Sequence, residues 1–422
     1  MSTPPSSETV SPALTLGLED RLEHWQEVYR DLHRHPEVAF AETRTAAVVA
    51  QTLRALTGWQ VTEGIGGTGV AGVLENGEGP TILLRADMDA LPVAEATGLS
   101  YASVEQGVMH ACGHDVHTAS LLGACAQLSA NPQAWSGTVV AVFQPAEEVG
   151  SGARAMLDDG LLDLIPPPEV CLGQHVAPFP GGVVATRPGV LMAASDSLRL
   201  TLNGAGGHAS SPERAVSPVV LAAAVIMRLQ TYSAQQAPLS LAPVLTPGAV
   251  NAGQAANVIP DQAEVLMSLR TFTPESRAKT LAAVERIVRA EAEASEAPEP
   301  PTVEAFNPFP VTVNDEAAAE RVMESLRGSG RTVFTLPAPM AGSEDFGEFG
   351  TRIGCPSVFW HFGGVPAQRF GTDGLTALAQ GGGLPEGVYA NHSPFFAPDP
   401  EVAVPAGIRQ LLGVADSWIA RR

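Results

Sequence analysis

Apolar residues recur at helical spacing in the first part of the chain. Within residues 18–55 they return every three or four positions, and Trp25 and Leu32 lie on the same predicted face. Pro36 interrupts this pattern, because proline cannot donate a backbone hydrogen bond inside a helix. We therefore predict two helices, the second of which begins near Glu42.

Short apolar runs follow and predict strands. They lie at residues 70–74, 81–85, 138–143 and 170–172, and a helical pattern that begins at Val116 separates the second run from the third. Each of the last three runs ends in polar residues, as parallel strands do when their carboxyl ends face a site. This order predicts an α/β fold, in which helices sandwich a mostly parallel sheet and one crevice opens at its carboxyl edge.

The pattern changes near Met192. Residues 197–203 alternate apolar and polar side chains, residues 215–229 and 274–294 have a helical period, and residues 258–269 are strand-like. The block has the size and the mixed composition of a small α+β domain. We predict that it is inserted into the main domain, because strand and helix patterns resume after it.

Composition marks the limits of these domains. The Pro-rich, acidic residues 296–301 are typical of a linker, and residues 1–16 have the composition of a disordered tail. We predict that the main domain is divided into residues 17–191 and 303–422. The inserted domain then spans residues 192–302.

The charge balance limits the partners of the protein. Its 422 residues include 45 acidic and 24 basic ones, which give a formal net charge of −21. Nucleic acid and anionic membranes bind positive surfaces, so we expect neither as a partner. We find no apolar run of about eighteen residues and no signal-peptide pattern at the start, and we therefore predict a cytoplasmic protein without a membrane span.

The cysteines do not predict a disulfide framework, because four are too few for a chain of this length. Cys125, Cys171 and Cys355 lie in or beside apolar runs, and we interpret them as core residues. A reducing compartment would leave Cys112 available as a thiolate ligand.

Residues 109–118, with the sequence MHACGHDVHT, concentrate candidate metal ligands. The Cys-x-His arrangement of Cys112 and His114 offers a thiolate and a neutral imidazole, which suit zinc and similar ions. A buried cysteine beside surface histidines is the alternative, because two ligands make only half a metal site. His33 and His35 have no second ligand type beside them, and we interpret them as surface or helix-end residues.

Further candidates follow the predicted strands. Glu147 and Glu148 are adjacent carboxylates that would repel each other without a positive charge nearby, and one of them can bind a metal while the other acts as a general base. His175 follows the last strand, His392 lies in a predicted turn, and Asp89 follows the second strand. The alternatives are a solvated acidic loop and structural histidines.

Nine short motifs carry a resemblance to a known family. In chain order they are DLHRHPE, RADMDALPV, MHACGHDVHT, FQPAEE, GQHV, GGHAS, NVIPD, SEDF and NHSPFF. This series resembles the metallo-aminoacylase and carboxypeptidase superfamily. It is most similar to the branch of hippurate hydrolases, bacterial N-acyl-L-amino acid amidohydrolases and plant hydrolases of indoleacetic acid-amino acid conjugates. The resemblance covers nearly the whole chain from about Leu18.

The resemblance implies a dinuclear metal centre with Glu147 as general base toward metal-bound water. Two divalent ions would lie in each subunit, and zinc, manganese, cobalt and nickel all fit the ligand types. Cys112 would bridge the two ions, and Asp89 would orient a ligand or the base from behind. The implied ligands are Cys112, His114, Glu148, His175 and His392.

The resemblance also assigns roles to the two domains. The main domain would be a zinc-peptidase-like catalytic domain, and the inserted domain would serve in dimerisation and as a lid. His208 would stabilise the oxyanion, from its own subunit or from the partner, and Asn257 and Arg270 would bind the substrate carboxylate. A homodimer, or a tetramer built from two of them, is therefore expected.

The resemblance predicts an amidohydrolase that cleaves N-acyl amino acids or similar aminoacyl conjugates. A dipeptidase or carboxypeptidase and a non-catalytic ligand-binding homologue are the alternatives, and a thiol hydrolase that uses Cys112 and His114 is a weaker third. The Gly-rich residues 363–385 are longer than the resemblance implies and could reshape the substrate pocket. The substrate therefore stays open.

Overall fold

The computed structural model describes most of the chain and divides it into two compact units. The described residues are 12–235, 242–371, 374 and 382–421. Among them, the larger unit comprises the chain up to Leu191, Val313–Pro337 and the residues from Asp345 onwards. The smaller unit comprises Met192–Thr312 and Ala338–Glu344.

The ends of these ranges affect two predictions. Most of the tail predicted at residues 1–16 lies outside the described residues, whereas Leu14 is fully buried in the core of the larger unit, which a disordered tail would not allow. Much of the Gly-rich segment predicted at residues 363–385 also lies outside the described residues.

The helices of the described residues are α1 Leu22–Arg34, α2 Thr43–Ala55, α3 His114–Ala130, α4 Gly152–Asp158, α5 Leu161–Leu164, α6 Pro218–Ala234, α7 Pro274–Ala294, α8 Glu316–Gly328, α9 Gly347–Ile353 and α10 Pro400–Ile419. Helices α6, α7 and α10 each begin with a polar N-cap residue followed by proline. The side chain of each N-cap accepts a backbone hydrogen bond from the first turn, and the proline has no donor to leave unsatisfied. These pairs are Ser217-Pro218, Thr273-Pro274 and Asp399-Pro400. None of the helices in the described part of the chain is long and apolar enough to cross a membrane.

The strands of the described residues are β1 Gln60–Ile65, β2 Gly69–Asn76, β3 Thr81–Asp87, β4 Gly137–Gln144, β5 Val170–Pro180, β6 Val183–Thr186, β7 Gly189–Met192, β8 Ala194–Asn203, β9 Gly207–His208, β10 Val244–Ala252, β11 Val258–Ile259, β12 Gln262–Thr271, β13 Thr302–Phe309, β14 Thr312–Asn314, β15 Thr332–Thr335 and β16 Ser357–Val365.

One large sheet forms the centre of the larger unit. Its strand order is β1-β2-β4-β3-β5-β16-β6-β15. The four central strands, β4, β3, β5 and β16, are parallel to one another, whereas β1 and β2 continue the sheet with antiparallel pairing. The parallel-rich α/β sheet confirms the predicted fold class.

Helices cover both faces of this sheet, as strand β16 shows. Trp360 donates a hydrogen bond to Gln410 of α10 at 2.9 Å, whereas Phe359 packs against Phe346 beside α9, with ring centroids 5.2 Å apart. Successive side chains of a strand point to opposite faces, so α10 and α9 lie on different sides. Helix α3 packs against α1, α10 and the sheet and is buried over most of its length, as expected of a helix that is apolar all round.

The smaller unit is an antiparallel sheet with two helices. Its strand order is β10-β12-β8-β13, and α6 and α7 pack on this sheet around one apolar core. Along β8, buried Leu198, Leu200 and Leu202 alternate with partly exposed residues, which confirms the alternation predicted there. A separate two-stranded ribbon pairs β9 with β11.

Two predicted features of the smaller unit differ in the structure. The single strand predicted at residues 258–269 is two strands, because Pro260 cannot donate to a ladder and the chain turns there. The Pro-rich residues 296–301, interpreted as a domain linker, connect α7 to β13, and β13 pairs with β8. The smaller unit therefore continues past them to Thr312.

Candidate metal centre

The predicted ligands of the larger unit meet at the carboxyl edge of its parallel strands. Strand β3 ends at Asp87 and leads to Asp89, β4 leads to Glu147 and Glu148, and β5 carries His175. Parallel strands bring their carboxyl ends to the same edge, so these polar side chains converge although they are far apart in sequence. Helix α3 begins at the same edge.

A tight turn at Gly113 places Cys112 and His114 on either side of the start of α3. Gly113 has a φ of +89°, a left-handed conformation that side chains with a Cβ rarely adopt. A Cβ at this position would also lie 2.3 Å from Cγ1 of Val176. Glycine is therefore required here for both conformation and space.

The Cys112 thiol faces the ring of His175. The distance from Cys112 Sγ to His175 Nε2 is 3.4 Å. His175 Nδ1 lies 2.7 Å from the carbonyl oxygen of Val176, and because a carbonyl only accepts, Nδ1 carries the proton. The lone pair of Nε2 is thus directed toward Cys112. Burial and the neighbouring His117 lower the pKa of His175, which favours the neutral ligand form.

His114 presents its second ring nitrogen to several carboxylates. Its Nδ1 lies 3.2 Å from Oδ1 of Asp89, whereas its buried Nε2 has no hydrogen-bond partner. That Nε2 lies 3.8 Å from Glu148 Oε1 and 3.7 Å from Asp87 Oδ2. Burial lowers the pKa of His114, but the carboxylates of Asp87 and Asp89 outweigh it and raise this pKa to about 10. A positive charge is thus strongly favoured at this ring.

Glu148 connects this group to His392. Its Oε2 lies 3.5 Å from His392 Nε2, and its buried Oε1 has no hydrogen-bond partner. Its backbone N–H donates to Asp89 Oδ2 at 3.0 Å, so Asp89 contacts both His114 and Glu148. Burial raises the pKa of Glu148 to about 7, and it outweighs the opposing effect of the His114 ring.

The candidate ligands form two overlapping sets of three. The first is Cys112, His114 and His175, the second is Cys112, Glu148 and His392, and within each set the donor atoms lie within 4.8 Å of one another. Cys112 is common to both. A further set contains His114, Glu147 and Glu148. One residue shared between two sets is what a bridging ligand requires.

The charges of these side chains fit a divalent cation. Burial and the negative charges of Glu148 and Glu147 raise the pKa of the Cys112 thiol well above its usual range. A nearby positive ion would reverse this effect, and it would also pair the unpartnered His114 Nε2 and Glu148 Oε1. Sulfur, nitrogen and oxygen donors together suit zinc and its neighbours. The donor set therefore supports a divalent metal centre.

The same observations argue against a thiol nucleophile. The histidine ring that faces Cys112 Sγ is that of His175, whereas the bonded partner of His114 is Asp89. A nucleophilic cysteine needs a lowered pKa, and here burial raises it. The alternative of a thiol hydrolase that uses Cys112 with His114 thus lacks both requirements.

Glu147 lies beside the candidate ligands in a buried position. Its Oε2 is 3.9 Å from His114 Nε2, and its side chain is 7% exposed. The turn before it is fixed from outside, because Glu42 accepts a hydrogen bond from the backbone N–H of Ala146 at 2.8 Å. Ala146 has a positive φ of 51°, so this turn depends on that support.

Two positions of the site had no role in the sequence prediction. Asn391 Nδ2 donates to the carbonyl oxygens of Cys112 and Val176, at 3.0 and 3.2 Å, and thereby ties the His392 segment to α3 and β5. His117 lies 2.5 Å from Asp87 Oδ1 and accepts from the backbone N–H of Val176. Both residues fall within the quoted motifs, but the sequence does not show which groups they contact.

His33 lies in the last turn of α1, as expected of a helix-end residue, but it is not at the surface. It is fully buried, with Nδ1 2.6 Å from Asp115 Oδ2 and Nε2 3.4 Å from Glu95 Oε1. Burial lowers its pKa, but these two carboxylates outweigh burial and raise the pKa to about 9. His33 thus supports α3 directly behind the candidate ligand His114.

The smaller unit contains the other predicted site residues. His208 on β9 pairs in register with Val258 on β11, and Asn257 precedes that strand, so both lie on one exposed ribbon. Arg270 on β12 is half-buried and donates to Ser343 Oγ at 2.6 Å. The roles of His208, Asn257 and Arg270 stay predictions.

A parallel-rich α/β sheet with sulfur, nitrogen and carboxylate donors at its carboxyl edge, and a second carboxylate beside them, defines a metal-dependent hydrolase. The sequence identifies the family. The chain belongs to peptidase family M20/M25/M40, which matches residues 83–373.

Named relatives agree with this assignment. The hippurate hydrolase of Campylobacter jejuni is 39% identical over 340 residues, which are 79% of this chain and 87% of that protein. Thermostable carboxypeptidase 2 of Saccharolobus solfataricus is 34% identical over 390 residues, 90% of this chain and 92% of that one. The crystal structure of a dinuclear metal-binding peptidase of the M20 family from Bacillus subtilis has a TM-score of 0.75 and 29% identity, and covers 94% of this chain and 98% of that one. These similarities confirm the predicted superfamily.

Proposed function

We propose that this protein hydrolyses the amide bond of N-acyl amino acids with a dinuclear metal centre. One observation carries the proposal: two sets of donor atoms share Cys112, and a further carboxylate, Glu147, lies beside them. The similarity to a hippurate hydrolase supports an acylated amino acid as substrate. Zinc, manganese, cobalt and nickel all fit the donors.

Bound divalent ions would act as Lewis acids toward the substrate carbonyl and toward water. The residues that would hold the ions are Cys112, His114, His175, Glu148 and His392, of which Cys112 belongs to both sets of donors. Asp89 holds two of these groups, since it contacts the ring of His114 and the backbone of Glu148.

Glu147 would transfer the proton. Its carboxylate accepts a proton from the attacking water, and the carboxylic acid then gives this proton to the amine nitrogen as the amide bond breaks. The products are a carboxylic acid and a free amino acid, so one water molecule is consumed. The position of Glu147 supports this role, because its Oε2 lies 3.9 Å from Nε2 of the candidate ligand His114.

Three residues of the smaller unit would contact the substrate. His208 would donate to the oxyanion, and Asn257 and Arg270 would bind the free carboxylate of the amino acid. The cationic side chain of Arg270 and the exposed positions of His208 and Asn257 support this assignment. Whether His208 serves its own subunit or the partner depends on the assembly.

We further propose that the chain forms a homodimer, and that two dimers can associate. The exposed apolar side chains of Val220 and Met227 on α6, each 68% exposed, support a protein interface on the smaller unit. Sedimentation equilibrium would measure the subunit number. A monomer at micromolar concentration would contradict the dimer.

The function is tested with purified protein and a substrate panel. Elemental analysis of protein prepared without added metal should show two divalent ions per chain. Benzoyl and acetyl derivatives of several amino acids should then be hydrolysed, and a chelator should remove the activity until metal is returned.

The alternative is a dipeptidase or carboxypeptidase, and the similarity to a thermostable carboxypeptidase favours its inclusion in the test. Dipeptides and benzyloxycarbonyl-dipeptides complete the panel. A higher kcat/KM on these substrates than on acyl amino acids would overturn the proposed substrate class. Metal binding without turnover of any amide would instead support a non-catalytic homologue.

A further inference from the structure

Two cysteine side chains of the larger unit lie against each other at a distance from the candidate metal centre. Cys171 is the second residue of β5, and Cys355 lies between α9 and β16. Their Sγ atoms are 3.6 Å apart, and both thiols are reduced. A disulfide bond needs an S–S distance of about 2.05 Å, so the two sulfur atoms must move closer together before they can bond.

The backbone holds both residues in place. The N–H of Cys171 donates to the carbonyl oxygen of Pro356 at 2.9 Å, and the N–H of Cys355 donates to that of Gly350 at 3.1 Å. Cys171 also lies in register with Ser357 on the parallel strand β16. The two sulfur atoms are thus close because of the sheet, and their approach does not depend on a mobile segment.

The two thiols differ in their access to solvent. Cys171 is fully buried, whereas Cys355 is half-buried between exposed Gly354 and Pro356. The hydrogen bond between the two groups lowers the pKa of Cys355 and raises that of Cys171. Cys355 is therefore the thiol that a soluble oxidant reaches and the one with more thiolate character. Cys171 is positioned to attack it afterwards.

We propose that Cys171 and Cys355 form a reversible disulfide when the protein meets a hydroperoxide. The Cys355 thiolate attacks the peroxide O–O bond and becomes a sulfenic acid, and the leaving oxygen departs as hydroxide or alkoxide. The Cys171 thiol then displaces the sulfenic oxygen as water and forms the S–S bond. The two thiols lose two electrons and two protons, and the peroxide is reduced. A small dithiol reverses the reaction by thiol–disulfide exchange.

The bond would lie near the amino-terminal ends of β5 and β16, away from the candidate metal centre. Cys171 precedes the candidate ligand His175 by four residues, which is about 13 Å along a strand. The disulfide would close a loop of more than 180 residues, and constraints on long loops stabilise most in the chain-entropy account. We therefore expect oxidation to raise the thermal stability and to leave metal content and turnover unchanged.

The test uses metal-loaded, full-length protein treated with hydrogen peroxide, then alkylated and digested for mass spectrometry. The expected product is a cross-linked peptide pair that joins Cys171 to Cys355 and disappears after reduction. The midpoint of thermal unfolding should rise by roughly 5 °C relative to the reduced protein. Turnover and metal content are measured on the same sample.

Variants distinguish this reaction from general oxidation. Cys171→Ser and Cys355→Ser should each lose the cross-link and the shift in melting temperature, whereas Cys125→Ser, in buried α3, should retain both. Oxidation of Cys355 to a sulfinic acid while Cys171 stays alkylatable would overturn the proposal, as would pairing of either residue with Cys112. Because the wild-type peptide map alone gives this answer, a variant that fails to fold does not obscure it.

Discussion

Asp89 contacts the ring of His114 from the side opposite the candidate metal position, with Oδ1 3.2 Å from Nδ1. A carboxylate at Nδ1 keeps a proton on that nitrogen, which leaves Nε2 as the ring nitrogen that a metal ion can take. The second oxygen of Asp89 accepts the backbone N–H of Glu148. Two candidate ligands from different segments are thus oriented by one side chain.

Asp89→Asn should weaken metal binding by about 10- to 100-fold, because the amide holds His114 less firmly and cannot offset the charge of the ion. Titration with a chelator of known affinity measures the change. Asp163→Asn, at an exposed position in α5, is the matched control and should bind metal as the wild type does. Equal affinity of the Asp89→Asn protein would show that Asp89 orients nothing.

Variants of Cys112 and His392 distinguish a ligand that bridges two ions from a ligand that binds one. Cys112 belongs to two of the ligand sets, whereas His392 belongs to one. Cys112→Ala should therefore lower the occupancy of both ions, and His392→Ala should lower mainly that of one. Elemental analysis after dialysis at a fixed free metal concentration compares the two. A Cys112→Ala protein with full metal content would mean that the thiol bridges nothing.

Glu147→Gln removes the proposed base but keeps the size of the side chain. Metal content should stay unchanged, and kcat should fall by about 10²- to 10⁴-fold, which is the usual contribution of a general base. Glu78→Gln, at an exposed position, serves as the control and should retain full activity. If the Glu147→Gln protein loses metal together with activity, Glu147 is a ligand rather than a base.

The buried His33 predicts a pH dependence of stability. Its folded-state pKa of about 9 exceeds the ordinary value of 6.5, because the attraction of Asp115 and Glu95 outweighs burial. The folded state thus binds the proton more tightly, and this stabilisation is full below pH 6.5 and is lost as the pH rises through about 9. The loss amounts to about 3 kcal/mol of unfolding free energy.

Urea unfolding of metal-saturated protein between these two pH values measures this effect. The free-energy difference between wild type and His33→Gln should shrink as the pH rises, whereas the difference between wild type and His35→Gln should stay nearly constant. His35 is the matched control because it lies at the same helix end but is half-buried and bonds to the Asp31 carbonyl. A constant difference for His33→Gln would contradict the raised pKa.

The sequence predicted strands β2 to β5 and the polar residues near their ends, because period and polarity are local properties. It did not predict the order of these strands in the sheet, and β5 runs past His175 to Pro180. Glu147, Glu148 and His175 stand directly after apolar runs, and the fold class follows from the same pattern. The strand β16, with its continuous run from Val358 to Phe362, had no separate prediction. A short apolar run is ambiguous between helix and strand by its period alone, and here the flanking Pro356 and Gly363 were the missed signal for a strand.

Contacts between distant segments could not be predicted. His33 is buried only because Asp115 and Glu95 reach it from two other segments, and no periodicity encodes that meeting. Cys171 and Cys355 were interpreted as core residues, yet Cys355 is half-buried and lies against its partner. Burial of a polar group depends on tertiary partners, which a pattern along one segment does not contain.

The hydrogen bonds of Asn391 determine when, during synthesis, the candidate ligands can come together. Its amide joins the turn that carries His392 to the carbonyls of Cys112 and Val176. During synthesis, Asn391 emerges from the ribosome only after the whole smaller unit has been made. A nascent chain that lacks this turn holds an incomplete set of candidate donors, so metal uptake would report that the last part of the larger unit has docked.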